Sequence, residues 1–111
     1  MNDEIEKGEL QEYFSRLDTF IHEPVRLGIL LLLQIHQAMP FSVIQKVLNV
    51  TSGNLNSHIN KLHDKGYVNI EKRFIELRPR TLISITKTGK LAVIDYSKNF
   101  KQIFDVFEDN E

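Results

Sequence analysis

Between Thr51 and Gly66 the chain sets Ser52, Asn54, Asn56, Ser57, Asn60 and Lys61 beside an apolar stripe of Leu55, Ile59 and Leu62. The short polar side chains carry hydrogen-bond donors and acceptors on little bulk. They can reach base edges or phosphates without holding a helix out of a groove about 12 Å wide. The stripe recurs at helical spacing and predicts a helix. Thr51 suits its N-cap, and Gly66 supplies the left-handed residue that ends it. An ordinary surface helix fills its outer face with Glu, Lys, Gln and Ala, which are better helix formers than Asn and Ser. Gly53, in the first turn, costs about 1 kcal/mol against alanine and lets the backbone come close to whatever faces the helix start.

The residues after Gly66 change period. Tyr67 to Phe74 alternates, with Val68, Ile70 and Lys72 on one side, and Thr81 to Thr86 alternates in the same way. Ile75 to Arg80 reads as a proline-bearing turn too long for a tight hairpin. The expectation is a two-stranded wing with a basic tip, where Arg78 and Arg80 flank Pro79 and Arg73 lies close by. Guanidinium groups so placed suit phosphate oxygens or a narrow minor groove. Arginine at a hairpin tip is often only solubilising, so the specificity lies in the order of helix, glycine, strand, basic turn and strand.

These parts need a support. Pro24 fits the first turn of a helix, and the apolar segment from Val25 to about Gln37 forms it. Its uninterrupted run, Ile29 to Leu33, is far below the roughly 20 residues that cross a bilayer. Met39-Pro40 breaks the chain, Phe41 to Leu48 gives a short amphipathic helix, and Asn49-Val50 turns into Thr51. Two short helices joined this tightly make a helix-turn-helix. The fold class is therefore α+β, mainly α: a single domain over 1–111, with a helical core at 24–66 and a two-stranded β-hairpin wing at 67–86.

Each end carries a further amphipathic helix, one over about 10–21 with Leu10, Tyr13, Phe14 and Leu17, the other over 87–107 with Ile94, Phe100, Ile103, Phe104 and Phe107. That is more apolar surface than one small domain hides. Pairing two chains through these helices would cover it and set two recognition helices about 34 Å apart, one turn of duplex.

Together these residues resemble the small winged-helix transcriptional regulators of the MarR and ArsR types. The resemblance runs from about Phe20 to Tyr96. It is carried by His22-Glu23-Pro24-Val25-Arg26-Leu27-Gly28, Val50-Thr51-Ser52-Gly53-Asn54-Leu55-Asn56-Ser57-His58, Lys65-Gly66-Tyr67-Val68, Arg78-Pro79-Arg80-Thr81 and Thr86-Lys87-Thr88-Gly89. It implies a homodimer on double-stranded operator DNA, with the second helix of each helix-turn-helix in the major groove and each wing at a minor groove; repression is the expected sense of regulation. The DNA-contacting residues it implies are Thr51, Ser52, Gly53, Asn54, Asn56, Ser57 and His58, to which charge and exposure add Lys61, Arg73, Arg78 and Arg80. As in some MarR-type proteins, the terminal helices could enclose a small-molecule effector. The recognition helix holds no arginine, so bidentate guanine reading from it is not available. Asparagine–adenine contacts and DNA shape are left to set base preference.

Charge supports this division of labour. The chain carries a formal net charge of −1, yet residues 42–90 hold nine bases against three acids, while 1–20 and 91–111 are acidic. Positive charge is concentrated on the reading head. With no cysteine and no glycine-rich phosphate loop, HExxH or G-x-S-x-G motif, no enzyme activity is expected. No cofactor or metal is expected either, although a regulatory site built on His22, His36, His58 or His63 stays open. The acidic start lacks a signal peptide's features, which fits a cytoplasmic protein. The rival reading is a winged-helix protein interaction module that does not bind DNA.

Overall fold

The computed structural model describes residues 3–108. In chain order it contains α1 (Asp3–Ser15), α2 (Pro24–His36), β1 (Ala38–Pro40), α3 (Phe41–Leu48), α4 (Ser52–Asp64), β2 (Val68–Ile75), β3 (Arg78–Ile85) and α5 (Lys87–Glu108). This is a winged helix, mainly helical, with one small antiparallel sheet.

α4 is built as its sequence dictates. The Thr51 hydroxyl accepts from the Asn54 N–H at 3.1 Å, satisfying one of the orphan donors of the first turn. Leu55, Ile59 and Leu62 are fully buried, each contributing about 1.5–3 kcal/mol of apolar transfer. They meet Ile29, Leu30 and Leu33 of α2, Ile44 of α3, and Val68, Ile83 and Ile85 of the sheet in one core. The helix ends on a Schellman motif: the Tyr67 N–H donates to Leu62 O at 3.0 Å and the Gly66 N–H to His63 O at 2.9 Å, with Gly66 at φ +79°.

That end is joined to α5 by Thr86. Its hydroxyl donates to Gly66 O at 2.6 Å and accepts from the Gly89 N–H at 2.9 Å, while its backbone N–H donates to Tyr67 O at 3.0 Å. Gly89 sits so close that a Cβ there would lie 2.3 Å from Tyr67 O. The Thr-x-x-Gly sequence is thus both an N-cap and a close approach of backbones.

Three elements differ from the sequence expectation. The sheet has three strands, because Ala38, Met39 and Pro40 pair with Ser84, Ile83 and Leu82 of β3 in the order β1-β3-β2. The Met39-Pro40 break is therefore an edge strand, a place where proline's missing N–H is tolerated. The wing turn is tight rather than long. β2 and β3 pair as far as Ile75 opposite Arg78, leaving Glu76 and Leu77 alone at the tip with φ of 53° and 66°. Two positive-φ residues make the primed turn whose twist matches the strands, a conformation that Gly and Asn hold more easily than Glu and Leu. Pro79, which suggested a turn, lies inside β3. The first helix also stops at Ser15, where 10–21 was expected. Asp18 Oδ1 accepts from the Phe20 N–H at 2.8 Å and the Ile21 N–H at 3.2 Å, turning the chain before α2.

Replacing Gly89 with alanine forces apart the base of the wing and the start of α5. Gly89→Ala is expected to lower unfolding free energy by about 1–3 kcal/mol, read from the midpoint of a denaturant melt. An unchanged midpoint would show that this approach is not tight in solution.

Candidate nucleic-acid interface

Burying the Leu55–Ile59–Leu62 stripe turns the opposite side of α4 outward. Ser52, Gly53, Asn54, Asn56, Ser57 and Lys61 are all outward-facing, as is Thr51 at the cap. Asn60 is exposed beside them. The helix start is the positive end of its dipole, and its first N–H groups point outward with Gly53 leaving the approach open.

His58 departs from the expected set. Its side chain is only 13% exposed and turns back to α2, where Nδ1 lies 3.0 Å from Arg26 Nη1 and 3.6 Å from Glu23 Oε2. Because guanidinium can only donate, His58 accepts there and is not on the outward face. Helical spacing explains the error: His58 falls between Leu55 and Leu62 on the edge of the buried stripe. Arg26 itself is held by Nε donating to Phe20 O at 2.7 Å and lies over the Phe20 ring at 4.6 Å. Glu23 caps α2 through the Arg26 N–H at 2.7 Å. The cluster fixes the start of α2 against the middle of α4.

Burial alone pushes the Glu23 carboxyl up. The backbone N–H groups of Arg26 and Val25, then the positive charge of Arg26, outweigh it and hold the group below its ordinary 4.5.

The wing places its cations on two faces. Register puts Arg73 opposite Arg80 and Ile75 opposite Arg78, so these three arginines share one face of the hairpin. All three are exposed. Arg73 Nε donates to Glu71 Oε1 at 2.7 Å, whereas Arg78 and Arg80 have no such carboxylate partner among the described residues. The opposite face carries Lys72 opposite Thr81, and it looks toward α4. A cleft of about 380 Å³ between them is lined by Phe41, Asn56, Asn60, Lys72 and Thr81, with Ile59, Ile70 and Ile83 beneath. Lys72, which lines this cleft, is not among the expected contact residues, although alternation already puts it on the Val68–Ile70 side. A lysine continuing a core-facing row past the end of the core was the available signal.

A folded helix-turn-helix presents its polar helix outward, with a basic β-hairpin beside it. The model for a winged helix DNA-binding domain matches residues 25–104 of this chain. The chain belongs to the winged helix DNA-binding domain family. An uncharacterized protein of Methanocaldococcus jannaschii is 37% identical over 79 residues, covering 71% of this chain and 86% of that protein. The solved transcriptional regulator homologue from Pyrococcus horikoshii OT3 is 39% identical, with a TM-score of 0.78 over 88% of this chain and 95% of the other. YusO of Bacillus subtilis shares the fold at 17% identity, with a TM-score of 0.76 over 97% of this chain and 74% of that one. The resemblance to winged-helix transcriptional regulators drawn from the residues therefore stands. This is a family of winged-helix DNA-binding regulators and not of enzymes.

The terminal helices pack on each other within the chain, α1 along α5. Leu17 and Ile103, expected in a dimer interface, are instead buried in the chain's own core, and Leu10, Tyr13 and Phe100 are partly buried against it. Phe14, Ile94 and Phe104 remain exposed. The side chain of Phe107 lies outside the described residues. His22 Nδ1 is 2.7 Å from the Tyr96 hydroxyl, stitching the α1–α2 turn to α5. Among the described residues no cluster of three or more His, Cys, Asp or Glu could hold a metal, and no helix is long and apolar enough to cross a membrane.

The depressed Glu23 carboxyl has a consequence for pH. A group whose pKa is lowered on folding adds stability above its unfolded value, and this is lost as pH falls through the folded value. Glu23→Gln should therefore melt below the wild type at neutral pH, the gap closing as pH drops beneath 4.5. A gap that widens toward low pH would contradict the assignment.

Proposed function

We propose that this winged-helix regulator is a homodimeric repressor that binds operator DNA sequence-specifically, in the cytoplasm. α4 enters the major groove through Thr51, Ser52, Gly53, Asn54, Asn56, Ser57 and Lys61. Arg78 and Arg80, with Arg73 behind them, grip the neighbouring minor groove and its phosphates. The observation that carries this reading is the outward polar face of α4 beside a wing that carries four of the nine bases concentrated in residues 42–90. The acidic composition of residues 1–20 and 91–111 limits nonspecific binding.

Dimerisation uses what the α1–α5 pair leaves uncovered, chiefly Phe14, Ile94 and Phe104. An apolar cleft of about 460 Å³ between α2 and α5, lined by Leu27, Leu31, Tyr96, Phe100 and Phe104, is where a small-molecule effector would act, since filling it would shift the helix that carries the dimer contacts relative to the reading head.

The test is the salt dependence of binding to duplexes selected from a random library. Arg78→Ala with Arg80→Ala should weaken binding and flatten the plot of log K against log salt by about 0.9 for each phosphate that is no longer neutralised, measured by fluorescence anisotropy. Unchanged affinity and slope at low salt would contradict the proposed role of the wing.

A further inference from the structure

The outermost part of the wing is apolar, not basic. Leu77, at the very tip, is 95% exposed, and Phe74 is 80% exposed behind it, with Ile75 partly exposed at 43%. An exposed cluster of large apolar side chains on a small protein marks a contact surface. The backbone reinforces the point. Glu76 and Leu77 both stand at positive φ, where Asn-Gly would make the same turn without strain. Strained backbone that presents a bulky residue, where glycine would serve the fold better, is characteristic of functional sites.

The surroundings identify the occupant. Arg78 adjoins the apolar tip, Arg73 and Arg80 pair two positions behind it on the same face of the hairpin, and Lys72 lies one position further back on the other face. Against them stand only Glu71, already engaged by Arg73, and Glu76 in the turn. Four cations ringing an apolar point are complementary to a surface that is anionic at its rim and apolar within. The minor groove of duplex DNA is such a surface, with phosphates outside and deoxyribose and base edges inside. Proteins that bind it often insert apolar side chains between base steps.

We propose, resting on the operator-binding reading above, that Leu77 is a wedge that enters the minor groove and partly unstacks one base step in each half-site. Phe74 and Ile75 lie against the sugar walls, and the arginines and Lys72 hold the flanking phosphates. Unstacking is least costly at pyrimidine–purine steps such as TA and CA. The wing would therefore read sequence through deformability, which supplies discrimination that the arginine-free α4 lacks.

The experiment places 2-aminopurine in turn at each step beneath the wing of a duplex selected by the protein. Wild-type binding should raise the fluorescence at one step per half-site. Leu77→Gly, which suits the positive φ and so spares the fold, should abolish that rise and cost about tenfold in affinity. Arg78→Ala should weaken binding yet keep the rise. If the wild type binds with no fluorescence change at any step, the wedge is wrong while DNA binding stands. If no duplex is bound at all, the operator reading fails and the wedge with it. If Leu77→Gly instead dissociates the protein in light scattering and leaves the fluorescence rise intact, the tip is a contact between copies, and the proposal is overturned.

Discussion

Three segments of chain meet at Gly66, and the geometry of the reading head follows from how they share hydrogen bonds there. The carbonyl of Gly66 and the N–H of Gly89 both bond to the Thr86 hydroxyl, and the backbone of Tyr67 touches Thr86 and crowds Gly89. This one knot fixes the end of α4, the root of the wing and the start of α5 against each other. A side chain at either glycine would loosen it, the first through its positive φ and the second through a direct clash. The end of α4 and the root of the wing are therefore held together, which sets their relative placement for any duplex that meets both.

A second constraint sets what faces outward. α4 buries a narrow stripe, so nearly everything else on it is available, except His58 at the stripe's edge. The Arg26–His58–Glu23 cluster makes use of that edge. It links the cap of the supporting helix α2 to the middle of α4 through charged groups that are mostly shielded from water, where hydrogen bonds to charge are worth more than at the surface. The reading head is thus held at its middle by a polar cluster, along its length by apolar packing and at its end by the Thr86 knot.

Most of the fold was legible because period-3.6 and period-2 patterns are long and clean in α2, α3, α4 and the two wing strands. What was not legible had local causes. Ala38–Pro40 pairs only because β3 comes alongside, a nonlocal event with no trace in three residues. The tight Glu76-Leu77 turn breaks the usual residue preference, so Pro79 was the more visible signal and drew the turn toward itself. Leu17 and Ile103 looked like interface because amphipathicity shows that a face is covered without saying by what. For the site, the outward face of α4 followed directly from the stripe. Lys72 required knowing that the core row continues into the cleft beside Asn56 and Asn60.

Contact between the polar face of α4 and duplex DNA is read residue by residue in an amide chemical-shift titration of the labelled protein with a selected duplex. The largest shifts are expected on Ser52, Gly53, Asn54 and Asn56 and on the Arg73–Arg80 wing, with α1 little changed. Shifts confined to α1 and the exposed side of α5, with α4 silent, would contradict it.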